Sequence, residues 1–323
     1  MKRTITSALL LLTFSILVAQ NSPLPRYKVL NGYPRLEAIT AINQAADQGY
    51  RILLTSRFVV MRLDATPPDT WRYMPSPQPT GTNAFLNALD QQGALGYGWL
   101  ADTEFLEKQP HPRNYEYRLL EGVTVKSRAH SLESLEQDGF TRVGMTRRDV
   151  RLVYMHEIGS PPPEHPRHTR ELDALRAHNL MKNISELAAQ GYRYRTSEIS
   201  YEGGRAVSME ECDASCGGPF EYRSFDVKNS EQLEHDLNAL GKEGFRVLPK
   251  SLDWPPGLVE RPLKHSGVFS YCVGDASSEA SVQQFIDDCD RDGFAPINFA
   301  AHVGWIVGGF FIIAEKAEVS PAP

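Results

Sequence analysis

The sequence lacks an apolar run long enough to cross a bilayer as a helix, and it has no excess of positive charge. Its two most apolar segments, residues 8–19 and 305–314, are both shorter than the roughly 20 residues that a spanning helix needs. The 34 basic and 40 acidic residues give a formal net charge of −6. Because proteins bind nucleic acid mainly through its phosphates, this balance argues against nucleic acid as a partner. We also expect no transmembrane span in the mature chain.

Recognisable catalytic motifs are also lacking. No serine or cysteine stands in a nucleophile-elbow sequence of the form G-x-S-x-G, and the nine histidines are scattered. Triad chemistry therefore finds no support, and the sequence assigns no catalytic residue and no cofactor. What the sequence does contain is an export signal and a repeat.

The N-terminus has the features of a secretory signal peptide. Lys2 and Arg3 precede the apolar run, which is followed by a polar, proline-containing stretch. Cleavage after Ala19 places a small residue at the boundary and moves the formal charge to −8, because two basic residues are lost. No cysteine follows the run to accept a lipid. We expect an exported protein, either periplasmic or secreted.

A glycine followed by an aromatic residue stands at the end of a predicted helix six times, with spacings of 47, 43, 52, 53 and 49 residues between successive glycines. In the first, fourth, fifth and sixth repeats, apolar residues stand 4, 7 and 11 positions before the glycine, as Leu240, Leu237 and Leu233 do before Gly244. These offsets place three side chains on one helix face, and the glycine suits a left-handed helix cap. The six pairs are Gly49-Tyr50, Gly96-Tyr97, Gly139-Phe140, Gly191-Tyr192, Gly244-Phe245 and Gly293-Phe294.

Each repeat also predicts three strands. In four repeats a tyrosine stands 22 residues before the glycine, within an alternating pattern typical of a half-buried strand; Met74 and Thr169 take its place in the second and fourth repeats. Two more extended stretches follow each helix. The sequence therefore predicts an α+β fold of six tandem β-α-β-β repeats, with helices packed on antiparallel sheets. We expect Leu233, Leu237, Leu240, Tyr222 and Phe245 to share one core.

A proline-rich stretch divides the repeats into two groups of three. Prolines stiffen the chain and cannot donate to a sheet ladder, so this stretch predicts a linker between halves that would each fold alone. The predicted segments are a signal peptide at 1–19, repeats one to three at 20–159, the linker at 160–167, repeats four to six at 168–316, and a disordered tail at 317–323.

The repeat resembles a small bacterial domain of unknown function. Its strand has the form aromatic-Glu-Tyr-Lys, its helix has the form L-x-x-x-L-N-x-L-G-x-E-G, and an aromatic residue and two strands follow. Phe220-Glu221-Tyr222-Arg223 and the helix from Leu233 to Gly244 match best. The resemblance covers most of the mature chain as degenerate copies. It implies a fold and no activity.

Two residue groups are candidate ligand sites. Asp288, Asp290 and Asp292 alternate before a glycine, as at the start of a calcium-binding loop, but the twelfth position is Phe299 rather than glutamate. Because Gly293 is already explained as the helix cap of its repeat, a solvated acidic helix end is the favoured explanation. A second group, an anion or partner patch, is formed by basic residues of the third repeat's last two strands: Arg142, Arg147, Arg148 and Arg151.

Three further arginines, Arg51, Arg193 and Arg246, each follow a cap aromatic residue. They also suit an anionic ligand or an acidic partner. The alternative is that charged hairpins and strand edges only keep the protein soluble and prevent edge pairing.

The four cysteines allow three pairings, and export makes disulfides plausible. Cys212 and Cys216 are close enough to close a small loop, which leaves Cys272 with Cys289. The second bridge meets a difficulty: if Tyr271 faces the helix of its own repeat, its neighbour Cys272 faces away from Cys289.

The sequence indicates a non-catalytic exported protein that binds a protein or an envelope component, because stacked small units build extended surfaces. The competing class is an enzyme, a hydrolase with its site between the two three-repeat halves.

Overall fold

The computed structural model describes most of the chain after the predicted signal peptide. The described residues are 24–318 except for 33–34, 65–69, 102, 112, 121–124, 146–151, 162–167, 174–178, 200–204, 213–215, 217, 227–228, 249–256, 264–266 and 302–309.

Six helices lie within these residues, one in each repeat. They are α1 (Arg35–Ala46), α2 (Thr82–Ala94), α3 (Val125–Gln137), α4 (Leu180–Ala189), α5 (Ser230–Lys242) and α6 (Glu279–Arg291).

Each helix is preceded by one strand and followed by two in the described part of the chain. The strands are β1 (Tyr27–Asn31), β2 (Tyr50–Thr55), β3 (Phe58–Leu63), β4 (Arg72–Pro75), β5 (Tyr97–Trp99), β6 (Phe105–Lys108), β7 (Tyr115–Leu119), β8 (Thr141–Met145), β9 (Leu152–Glu157), β10 (Thr169–Asp173), β11 (Tyr192–Ile199), β12 (Arg205–Glu211), β13 (Phe220–Phe225), β14 (Arg246–Val247), β15 (Gly257–Pro262), β16 (Val268–Asp275), β17 (Ala295–Ala301) and β18 (Phe310–Glu318).

The three strands of each repeat form a separate antiparallel sheet. Its third strand lies in the middle, between the first and the second. In repeat 5, for example, Glu260 of β15 stands opposite Tyr222 of β13 on one side and Arg246 of β14 on the other. The structure confirms the prediction of an α+β fold with six tandem repeats.

The cap glycines adopt the predicted conformation. All six have φ between 82° and 95°, a region that side chains disfavour. After α3, the Gly139 N–H donates to the Glu136 carbonyl and the Phe140 N–H donates to the Leu135 carbonyl, at 3.1 and 2.9 Å. This pair of bonds is the Schellman motif, which satisfies the last helix carbonyls.

A cation also lies over the aromatic residue that follows each cap glycine. In the six repeats the centroid distances run from 4.3 to 5.8 Å, within the range of a cation–π contact. The pairs are Lys28–Tyr50, Lys108–Tyr97, Arg118–Phe140, Arg170–Tyr192, Arg223–Phe245 and Lys316–Phe294.

The prediction that Tyr222 shares a core with the helix of its own repeat is wrong. Leu233, Leu237 and Phe245 do share a core, against which Leu240 is packed. Tyr222 instead packs on the opposite face of the sheet, with Ile184 of the preceding repeat's helix. The cause is strand alternation, since side chains two residues apart share a face and neighbours do not.

The same arrangement holds at every junction, so the order of contacts is cyclic. Each helix packs against the first strand of the next repeat, and α6 of repeat 6 packs against β1 of repeat 1. We number the junctions by the earlier repeat, so that the third joins repeats 3 and 4 and the sixth joins repeats 6 and 1.

The sixth junction is built like the others. Its core contains Tyr27 and Val29 of β1 with Val282 and Ile286 of α6. The Gln283 side chain accepts a hydrogen bond from the Val29 N–H at 2.8 Å. The first and last repeats therefore pack against each other although no chain segment joins them directly.

The predicted segment boundaries stay predictions. Residues 162–167 of the linker lie outside the described residues, and α3 contacts β10 across it. A cut there would separate the halves at the third and sixth junctions. At the C-terminus, β18 extends to Glu318, two residues beyond the expected end of the last repeat.

We expect Leu237→Ala to lower the free energy of unfolding by about 2 to 5 kcal/mol, because Leu237 is fully buried between α5 and β16 and truncation leaves a cavity. Urea denaturation followed by circular dichroism measures the change. The control is Leu263→Ala at a side chain that is 58% exposed, which we expect to stay within about 0.5 kcal/mol of the wild type. An equal effect of both substitutions would contradict the assigned core.

Candidate functional site

Three junctions contain the same group of a buried tyrosine, a buried glutamate and a partly exposed arginine. At the first junction, Arg51 of repeat 1 donates to Glu107 of repeat 2 through Nε and Nη2, at 3.0 and 2.9 Å. The Tyr73 hydroxyl donates to the same carboxylate at 2.9 Å and accepts a hydrogen bond from the Ile52 N–H at 3.1 Å. We call this group the junction triad.

The fourth and fifth junctions repeat the triad. Arg193 Nε donates to Glu260 at 3.0 Å, with Tyr222 hydrogen-bonded to the same carboxylate at 3.3 Å.

At the fifth junction the corresponding residues are Arg246, Glu315 and Tyr271. Arg246 Nε lies 2.8 Å from Glu315 and the Tyr271 hydroxyl lies 3.1 Å from it. The three arginines that follow cap aromatics thus bind glutamates of the next repeat.

The triad is a buried carboxylate that has both an ion-pair partner and a hydrogen-bond donor. A buried charge is costly unless it is paired and hydrogen-bonded, and each glutamate has both an arginine and a phenol. Burial raises the pKa of Tyr222 and of Tyr271, so their hydroxyls remain protonated donors. The triad therefore links one repeat's second strand to the next repeat's first and third strands.

Two other junctions keep the tyrosine without the ion pair. At the second, Gly98 and Met155 occupy the arginine and glutamate positions, and the Tyr117 hydroxyl donates to the Tyr97 carbonyl at 3.0 Å. At the sixth, Tyr27 stands opposite Arg62. In both, an aromatic ring still fills the junction.

The third junction differs, because Thr169 takes the tyrosine position and Thr141 takes the arginine position. Glu210 keeps the glutamate position, since it stands opposite Thr169 on β12. A cavity of about 460 Å³ opens where the larger side chains would lie. Such a volume is typical of sites for small ligands. We call it the third-junction cavity. It is lined by Glu136, Gly139, Phe140, Thr141, Arg142, Tyr154, Pro161, Thr169, Arg195, Ser208 and Glu210.

A further substitution, on α3, accompanies the cavity. Three residues before the cap glycine, α1, α2, α4 and α5 have glycine or alanine, as at Gly93 and Gly241, where an added Cβ would lie 2.2 Å from a carbonyl oxygen of the next repeat. In α6 this position is Asp290, which pairs with Arg26 of repeat 1. Glu136 takes this position on α3. It cannot make that close approach, and its carboxylate accepts a hydrogen bond from the Thr169 N–H at 3.1 Å.

The charges around the cavity are already partly paired. Arg195 forms an ion pair with Glu210 within repeat 4. Burial raises the pKa of the Glu136 carboxyl, and the hydrogen bond from Thr169 opposes this only in part. The cavity thus combines one ion-paired carboxylate, one carboxyl that holds its proton more tightly than usual, and several hydroxyl groups.

Beside the cavity, Arg128 of α3 and Glu171 of β10 form a buried ion pair at 2.9 Å, with side chains 6% and 3% exposed. Burial raises the pKa of Glu171 despite the arginine. Among the described residues, Arg128 Nη2 is buried without a hydrogen-bond partner. This pair connects repeats 3 and 4 where the junction triad is missing.

The arginine patch is only partly described. Arg142 lines the third-junction cavity. Arg147, Arg148 and Arg151 lie outside the described residues.

The three aspartates lie near the end of α6 and engage separate partners. Asp288 binds Arg291 and Asp290 binds Arg26, at 2.8 and 2.9 Å, while the Asp292 carbonyl accepts from Lys316 at 3.0 Å. In the described part of the chain, no group of three or more histidine, cysteine or acidic side chains is arranged to hold a metal ion.

The structure pairs the cysteines as two local bridges, Cys212 with Cys216 and Cys272 with Cys289, with Cα separations of 5.6 and 6.9 Å. The expected difficulty with the second bridge came from the wrong orientation of Tyr271. Tyr271 faces the helix of repeat 5, so Cys272 faces α6 of its own repeat, where Cys289 is buried.

Most residues of the cavity are not candidates from sequence. Glu136, Arg195, Ser208 and Glu210 belong to no recognisable motif. One signal did mark the place: Thr169 breaks the tyrosine pattern. Met74 breaks the same pattern in repeat 2, but there the neighbouring Tyr73 takes the tyrosine position, opposite Glu107. A break in a repeat reveals a site only when it is known what the regular residue contacts.

Compared with known proteins, the chain matches no family model, and no curated protein or solved structure is significantly similar to it. None of the helices in the described residues is both long and apolar enough to cross a membrane.

We expect Tyr222→Phe to destabilise the protein by about 1 to 3 kcal/mol, because the buried Tyr194 N–H loses its acceptor and Glu260 loses a donor. Equilibrium urea denaturation measures the loss. Tyr192→Phe is the matched control, since that hydroxyl makes no hydrogen bond among the described residues. A Tyr222→Phe variant as stable as the control would show that the triad contributes nothing.

The raised pKa of Glu136 predicts a pH dependence. The folded state binds this proton more tightly than the unfolded state, so the stability that Glu136 contributes is fully present below the ordinary carboxyl pKa and is lost as the pH rises through the raised value. We therefore expect the wild type to lose stability over that range relative to Glu136→Gln, which stays neutral and keeps an acceptor for Thr169.

Denaturation of both proteins from about pH 4 to pH 8 checks this expectation. Glu133→Gln, at an exposed position of the same helix, should give a curve parallel to that of the wild type. A parallel curve for Glu136→Gln as well would contradict the expectation.

Proposed function

We propose that the protein is an exported, non-catalytic binding protein that holds a small polar ligand in the third-junction cavity. The observation that carries the proposal is the contrast between junctions. Thr141 and Thr169 stand where the junction triad has its arginine and tyrosine, and the cavity lies at these two residues. Each repeat packs on both of its neighbours in the cyclic order, so the site is formed before a ligand enters, which favours binding.

The composition of the cavity favours a polar ligand. Hydroxyl groups of Thr141, Thr169 and Ser208 line it, together with the aromatic residues Phe140 and Tyr154. Binding sites for small molecules combine apolar walls with a few polar groups that fix orientation.

A hydrolase remains the second candidate, and the same cavity would be its site, because it lies between the two three-repeat halves. Two carboxyl groups line it, and one, Glu136, has a raised pKa; such pairs divide the roles of acid and base in some enzymes. Binding is favoured because both groups already have structural partners, Thr169 for Glu136 and Arg195 for Glu210.

Export is part of the proposal. It is supported by the N-terminal sequence, with its basic start and short apolar run, and by the two cysteine pairs, which suit an oxidising compartment. We further propose that the partner or ligand comes from the cell envelope or the surrounding medium, and that the repeats are degenerate copies of the small bacterial domain they resemble.

A thermal-shift screen of small polar compounds tests the binding function. We expect at least one compound to raise the melting temperature of the wild type, because a ligand that binds only the folded state stabilises it. Thr141→Arg should abolish the shift, since an arginine would occupy the cavity as at the first, fourth and fifth junctions. Ser134→Arg adds the same charge at an exposed position of α3 outside the cavity and should leave the shift unchanged. Compounds that stabilise all three proteins equally would contradict a site at the third junction.

A further inference from the structure

The junction triads show what this chain places at the equivalent position elsewhere. In each triad, a phenol ring enters between the helix of one repeat and the sheet of the next. Its hydroxyl donates to the buried glutamate and accepts from a backbone N–H of the second strand, as the Tyr271 hydroxyl does with Glu315 and Val247, at 3.1 and 3.0 Å.

The third junction keeps the carboxylate that accepts the phenol's hydrogen bond, but it lacks the tyrosine that supplies the phenol. Glu210 stands at the glutamate position, opposite Thr169, and lines the cavity. Its ion pair with Arg195 holds the carboxylate in position without the inter-repeat arginine. Phe140 and Tyr154 form aromatic walls.

We propose that the third-junction cavity binds a phenol, with the ligand's hydroxyl directed at Glu210 in the place that tyrosine takes in the junction triad. This proposal rests on the proposed binding function and names the class of ligand. The phenol can be carried by a small aromatic compound or by a tyrosine side chain of a peptide, because both present the same ring and hydroxyl. The volume of about 460 Å³ holds a ring with a short substituent, since the arginine side chain is missing as well.

The polar groups favour a phenol over the other ligands that suit a pocket of this size. An anionic ligand would meet the carboxylate of Glu210. Of the two arginines that line the cavity, Arg195 is paired with that carboxylate, and Arg142 acts electrostatically on the nearby carboxylate of Glu171. A purely apolar ligand would exclude water from the Ser208 hydroxyl and the Glu210 carboxylate without offering either of them a hydrogen bond, which is unfavourable. A phenol provides an apolar ring for the aromatic walls and a strong donor for the carboxylate.

Isothermal titration of the wild type tests the proposal with matched probes. The probes are 4-methylphenol, N-acetyltyrosine amide and N-acetylphenylalanine amide. We expect the tyrosine amide to bind about ten- to a hundredfold more tightly than the phenylalanine amide, because a hydrogen bond to a charged acceptor is lost with the hydroxyl. Binding of 4-methylphenol alone assigns the site to small phenols, and binding of the tyrosine amide assigns it to a peptide side chain as well. Binding of both amides with equal affinity, or binding of neither 4-methylphenol nor the tyrosine amide, would overturn the proposal.

Thr169→Tyr supplies the independent test, because it restores to the third junction the residue found at the other five. We expect this variant to melt at a higher temperature than the wild type and to bind phenols at least tenfold more weakly. Ser134→Tyr adds a tyrosine outside the cavity and should change neither property. A folded Thr169→Tyr variant that binds phenols as the wild type does would contradict the proposal, and the comparison of the two amides decides the matter if the variant fails to fold.

The two proposals fail in different ways. If the phenols do not bind but another compound stabilises the wild type and not Thr141→Arg, the cavity is a binding site and only its assignment to phenols is wrong. If no compound stabilises the wild type more than it stabilises Thr141→Arg, the binding function itself is wrong.

Discussion

The contact between each helix and the first strand of the following repeat is the interaction on which the rest of the structure depends. A single repeat has one helix and three short strands, and its helix covers only one face of its sheet. The opposite face is also apolar and stays exposed to water until the helix of a neighbouring repeat covers it. Ile184 of repeat 4 and Tyr222 of repeat 5 share a core for this reason, as do Val282 of repeat 6 and Val29 of repeat 1. The stability of each repeat is therefore partly that of its neighbours, as in other repeat proteins.

The junction triad adds specificity to this apolar contact. A buried carboxylate satisfied by an arginine from one repeat and a tyrosine from the next requires both repeats to meet in one register. Glu107, Glu260 and Glu315 provide it at three junctions. At the third junction the same position is adapted: Glu210 is paired within its repeat, and the Arg128–Glu171 pair takes over the connection between repeats. Replacing two large side chains by threonines then leaves a polar cavity in an otherwise filled position.

The sequence predicted the architecture well because its signals are local. A left-handed glycine such as Gly244 and the stripe of Leu233 and Leu237 depend on the geometry of one helix, and both are read from spacing alone. The sequence did not predict which helix Tyr222 packs against. Strand alternation says that neighbours face opposite ways, and it does not say which face belongs to which helix. The same ambiguity produced the difficulty with Cys272.

The sequence by itself determined the repeat unit, its caps and its buried stripes, because these follow from hydrogen bonding and side-chain periodicity within about 50 residues of chain. Only the tertiary structure decided the cyclic order of the repeats and the place of the cavity. Both depend on contacts between residues far apart in sequence, such as Tyr27 with Ile286, and Thr141 with Thr169 and Glu210. The identity of one residue in a repeat carries little information until its partner in the next repeat is known, since the same threonine is unremarkable on a free strand and leaves a cavity where the other junctions hold a tyrosine.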